Sequence, residues 1–138
     1  MKAWPLLLLL AACGPIPRDP EGTLERVRRT HVIRVGVVEG DRVAAWRPLL
    51  GRVAAATGSA PRMETGALEP LLVRLEQGEL DLVVGGAFAE DTPWLARVTL
   101  GPVLRRDRGI AHHVVARNGE NAWIMLIERN ARALGHAS

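Results

Sequence analysis

The 138-residue chain has no tyrosine, one phenylalanine and one cysteine. Lys2 is its one lysine, and Ser59 and Ser138 are its two serines. Each scarcity removes a class of function. A single cysteine forms no intrachain disulfide, so stability rests on an apolar core. Neither serine sits in a strand-turn-helix elbow, which disfavours hydrolase nucleophile chemistry. No phosphate-binding or dinucleotide glycine pattern occurs, since Gly85-Gly86 stands alone. Histidines 31, 112, 113 and 136 make no metal site, because adjacent His112 and His113 on a strand point to opposite faces. No cofactor and no enzymatic constellation is expected. Apart from Lys2 the basic residues are arginines, 17 against 15 acids, a formal charge of +2 for residues 13–138. The densest basic cluster, Arg105-Arg106-Asp107-Arg108, is short and interrupted. That disfavours nucleic-acid binding, which needs a concentrated basic face.

What is present begins at Cys13. Met1-Lys2 is followed by an uncharged run from Ala3 through Trp4, Pro5 and Leu6 to Leu9, ending in Leu10-Ala11-Ala12-Cys13-Gly14. Such an apolar stretch is too short to cross a ~30 Å hydrocarbon core, which takes about 20 residues. The layout is that of a secretory signal, and Leu10-Ala11-Ala12-Cys13 resembles a bacterial lipobox. The resemblance implies lipidation of Cys13 Sγ, cleavage before it and acylation of the new amine, a palmitate-type anchor that binds membranes stably. A plain cleaved signal with an incidental cysteine remains the alternative. The expected organisation is a signal peptide over 1–12, a Pro-rich tether over 13–21 and one domain over 22–136. The expected address is the cell envelope, membrane-anchored on the periplasmic face, with the outer membrane as default.

Hydrophobic periodicity predicts an α/β fold with a mainly parallel sheet flanked by helices. Strands are expected at Val32–Val38, Pro61–Thr65, Leu80–Val84, Val98–Leu100 and Ile110–Ala116. Helices are expected at Thr23–Arg29, Arg42–Thr57, Leu68–Gln77 and Glu120–Leu134. Gly85 to Asp91 reads as a loop, and Val103 to Gly109 as the least structured part. Leu71, Leu75, Leu82, Val84, Val35, Val37, Trp123 and Ile127 are the expected core.

Gly22 to Arg28 followed by Ile33-Arg34-Val35-Gly36-Val37, and above all Leu68 through Gly86, resemble family 3 extracellular solute-binding proteins. Ala116 to Asn121 followed by the last helix resembles the stretch that closes that family's first lobe. The resemblance implies one lobe of a type II periplasmic-binding-protein-like fold, serving ABC-type amino-acid transport. It also implies a second lobe, for which the chain offers only the short segment Arg105 to Gly109. The family's carboxylate-clamping arginine should follow the glycine loop. Asp91-Thr92-Pro93-Trp94 stands there instead, and Arg97 comes too late.

Ligands in open α/β sheets bind beyond the carboxyl ends of strands. That singles out Glu39 and Asp41 after the first strand, and Gly85, Gly86, Phe88, Glu90, Asp91 and Trp94 around the third. Four acids converging there suit a cationic solute or a protein partner. The simpler reading of Glu39 and Asp41 is that they turn the chain and cap the next helix, where Asp is favoured, and Phe88 equally suits core packing. The expected function is a membrane-anchored accessory to transport with a truncated substrate-binding domain and weak small-molecule binding. A transporter component or a second copy would be its partner. The alternative is a lipid-anchored interaction module that has lost solute binding.

Overall fold

A computed structural model describes residues 18–135. Cys13, the signal peptide, most of the tether and His136 lie outside the described residues. Among the described residues, no helix is long and apolar enough to cross a membrane.

The elements alternate from α1 (Thr23–Thr30) and β1 (Val32–Val38) to α2 (Val43–Thr57) and β2 (Ala60–Gly66). Then come α3 (Leu68–Glu76), β3 (Leu82–Gly86), a 3-10 turn (Pro93–Ala96), β4 (Val98–Asp107), β5 (Ile110–Arg117) and α4 (Asn121–Gly135). They form one five-stranded sheet in the order β2-β1-β3-β5-β4. β1 pairs in parallel with both β2 and β3, whereas β5 runs antiparallel to β3 and to β4. All strands but β5 therefore share one direction, the mainly parallel sheet expected.

The sheet is covered on both faces, which is why β3 reads as a continuous apolar run. Successive strand residues alternate in face. Leu82 and Val84 accordingly join the α1, α2 and α4 layer, with Ile33, Val35, Trp46, Trp123 and Ile127. Val83 joins the other layer, with Leu71, Leu72 and Leu75 of α3, Trp94, Val98 and Val115. All eight expected core residues are buried.

Two buried or half-buried carboxylates tie the start of the described chain to α4. Helix N-termini leave backbone N–H groups without intrahelical partners, and Gly22 before α1 has no side chain to offer. Glu120, fully buried, accepts from the backbone N–H of Glu21 at 2.8 Å and of Thr23 at 3.0 Å. Asp19 accepts from Leu24 N at 2.9 Å and from Trp123 N at 3.0 Å, so it serves both helices. Residues 19–23, at the end of the expected tether, are thereby fixed to the lobe.

Three expectations are corrected. Gly85 and Gly86 belong to β3 rather than to a loop, and β3 begins at Leu82. The stretch 103–109, expected to lack structure, is the second half of a ten-residue strand and the turn of a long β4–β5 hairpin. Its residues carry charge because the hairpin tip extends past the core: Arg106 through Ile110 are exposed. The hairpin turns at Arg108 and Gly109, both at positive φ, where the resemblance implies a passage into a second lobe.

Candidate functional site

A cleft of about 270 Å³ opens beyond the carboxyl ends of β1 and β3. Val38, Glu39, Gly40 and Asp41 form one wall, Leu68, Gly85 and Ala87 another, and Arg105, Asp107 and His112 of the hairpin a third. Asp41 is the floor, its side chain only 2% exposed. Oδ1 accepts from Arg42 N at 2.6 Å and pairs with the Arg105 guanidinium. Oδ2 accepts from Trp46 Nε1 and faces His112 Nδ1, both at 3.3 Å. The Arg42 contact fixes the turn into α2, so the capping role and a place in the cleft are held by one residue.

Backbone irregularities shape the floor. In β3, Val84 pairs with Val114 but Gly86 pairs with His113, which leaves Gly85 as an extra residue. Gly85 sits at φ +92°, and a Cβ there would lie 2.1 Å from Asp41 Oδ2. Only glycine tolerates both the conformation and the approach. Bulges re-aim neighbouring side chains and gather at functional sites. Gly86 makes similar room for Phe88, whose ring would meet a Cβ at 2.7 Å.

The expected site residues divide. Glu39, Asp41 and Gly85 meet in the cleft. Glu90 and Asp91 do not: they lie exposed in the turn before the 3-10 segment, outside the cleft lining. The four acids therefore do not converge. Phe88 is half-buried against the α3 layer and meets His113 edge-on at 6.3 Å. Trp94, expected at the site, is 8% exposed and belongs to the core. Arg97 stacks over it at 4.2 Å and pairs with Glu76.

Sequence reasoning missed Arg105, Asp107 and His112. The available signal was the turn Asp107-Arg108-Gly109 between two stretches able to form strands, a hairpin pattern. The acids and cations together give the cleft a mixed lining with a negative excess. Among the described residues no cluster of three His, Cys, Asp or Glu is placed to hold a metal. A larger groove of about 900 Å³ runs between α2, β4 and α4, with largely apolar walls that include Ala45, Leu100, Val103 and Ala131.

No family model matches the sequence, and neither does any curated protein. Solved structures do match in fold. A point mutant of the arginine-bound form of domain 1 from TmArgBP superposes with a TM-score of 0.69 at 14% identity, over 82% of this chain and 98% of that one. The arginine-bound form without that change gives 0.65 at 13%, over 78% and 97%. A further mutant of ArgBP from T. maritima gives 0.68 at 9%, over 83% and 94%. These neighbours are binding proteins, and at such identities the likeness is one of fold. The described chain has the α/β fold of a single periplasmic-binding-protein-like lobe.

Proposed function

We propose that this protein is a lipid-anchored solute-recognition lobe, accessory to transport, with the cleft around Asp41 as one half of its ligand site. The observation that carries the reading is the cleft itself. It lies where open α/β sheets bind ligands, and its floor is a buried carboxylate with Glu39 and Asp107 at the rim. The negative excess suits an ammonium or guanidinium group. The neighbours' own titles name arginine-bound forms of a lobe with this fold, which supports the same ligand class here. The anchor is Cys13, on the sequence grounds given above, with the lobe held on the periplasmic face of the envelope.

The size of the cleft sets the expected strength. Small-molecule pockets usually measure about 300–1,000 Å³ and bury about 70–90% of the ligand. A cleft of about 270 Å³, open on one side, leaves a free amino acid largely solvated. Another protein, or a second copy, would supply the missing wall. Calorimetry of the full chain against amino acids and polyamines tests this. The expected result is dissociation constants no tighter than about 1 mM, equivalent to about −4 kcal/mol. A micromolar constant for a monomer overturns the half-site. The alternative, an interaction module without solute binding, draws on the pairing of Asp41 with Arg105.

A further inference from the structure

Asp41 is the natural anchor for a cation, and the chain already supplies one. Its four contacts fall into two sets. Arg42 N and Trp46 Nε1 come from the residues that follow Asp41 into α2. Arg105 and His112 come from the hairpin, some 64 and 71 residues away. The first set holds the carboxylate in place, and the second covers the side that opens to the cleft.

The hairpin is shaped to make that contact. Val103 pairs with His113, yet Arg105 pairs with His112, so Leu104 is an extra residue on β4. Without that bulge Arg105 would fall out of register with His112. With it, the two cross-strand partners share a face, as directly opposed residues do, and both reach Asp41. The bulge beside Asp41 in β3, at Gly85, makes room from the other wall. Arg105 is also only 18% exposed, while Arg106 and Arg108 on the same hairpin are exposed. Its Nη2 lies 3.2 Å from Asp107 Oδ2, a second carboxylate at the solvent edge. The guanidinium thus has an alternative partner if it leaves Asp41.

We propose that Arg105 is a built-in cationic occupant of the cleft, holding the position on Asp41 that the guanidinium or ammonium group of a solute would take. The inference rests on the cleft reading above and adds to it a self-occluding contact. A tethered group acts at an effective concentration of millimolar or more. A free cation must therefore outcompete Arg105, so the intact lobe binds such solutes weakly even where the chemistry fits.

The test is titration of the full chain in mild detergent with methylguanidinium, at ionic strength held constant with sodium chloride. Arg105→Ala is expected to bind the probe at least about tenfold more tightly than the wild type, and the double variant R105A/D41N to lose the gain. Arg105→Gln, which keeps most of the side chain's volume without its charge, gives the same ordering if Arg105→Ala does not fold. Equal binding by wild type and both variants, abolished by Asp41→Asn, overturns the occlusion and leaves the cleft reading intact. A folded Arg105→Gln that ignores the probe overturns the occlusion and removes the cleft's cation preference with it.

Discussion

The two ends of the sheet use the same chemistry in different settings. At the amino end, Asp81 has a fully buried side chain that pairs with Arg26 of α1 and with Arg34 of β1. It also accepts from Arg34 N at 2.8 Å, and Arg34 Nη2 donates onward to Gly78 O at 2.7 Å. Both cations on its carboxylate belong to α1 and β1, and its backbone oxygen accepts from Trp123 of α4, so the network closes within the packed layer. At the carboxyl end Asp41 is almost as buried, yet half of its partners arrive on a hairpin and a cleft opens beside it. A buried aspartate with two cations is therefore no sign of function by itself. What separates the two is the cleft beside Asp41 and the hairpin, rather than the packed core, that brings half of its partners.

The largest effect is expected at the sealed end. Removing one member of a buried ion pair typically costs about 3–5 kcal/mol. Asp81→Ala strands two guanidiniums and the Arg34 N–H at once. Arg26 and Arg34 are 26% and 30% exposed and so regain some hydration, which places the expected loss near the bottom of that range. Urea denaturation measures it. A loss below about 1 kcal/mol, the value of an exposed pair, would break the distinction between the two ends.

Gly85→Ala is expected to cost somewhat less, about 2–3 kcal/mol, from a left-handed non-glycine residue and an overpacked contact. Its diagnostic value is spatial. The new Cβ displaces Asp41, so the His112 ring resonances should move. The Trp123 Nε1 proton, which bonds Asp81 O at 2.9 Å at the other end, should not. Movement of both would mean that the two networks are coupled.

The sequence disclosed the two ends unequally for a physical reason. β1, α2 and α3 were legible because burial imposes periodicity: Val32–Val38 was expected to the residue, and α2 and α3 to within one, whereas the continuous apolar run of β3 was read two residues early. Trp123 was expected in the core and is fully buried there. The hairpin tip buries little, so its pattern is charged and carries no alternation to read. The register shifts at Val103–Arg105 and Val84–Gly86 follow from pairing between strands, which no single segment encodes. Long-range caps are equally silent: Glu120 serves Thr23 across 97 residues. Trp94 was misjudged because a turn-like segment, Asp91-Thr92-Pro93, leads into it. That turn drops the indole onto Val98 and Val115. Glu90 and Asp91 were placed beside Asp41 by their nearness to Gly86 in sequence, but after Ala87 the chain packs Phe88 against the α3 layer and leaves both acids exposed outside the cleft lining.

The smallest stability effect, and the sharpest separation of binding from folding, is expected at Glu39. It lies at the cleft rim, exposed, one residue beyond β1, and its backbone N–H is tied to Gly66 O at 2.9 Å. Glu39→Gln keeps the side chain's size and removes its charge. Surface changes away from special features usually stay within about 0.5 kcal/mol, so the unfolding midpoint should be unchanged. Binding should respond differently. A rim carboxylate in high dielectric contributes about 1 kcal/mol to a cation some 4 Å away, so methylguanidinium binding by Arg105→Ala should fall roughly fivefold when Glu39→Gln is added. Added salt should shrink that difference, because a rim charge is screened over about 10 Å at 0.1 M. The contribution of buried Asp41 should persist under the same conditions. If salt erases both effects equally, Asp41 is no more sheltered than Glu39, and the open end of the sheet holds an ordinary surface pair.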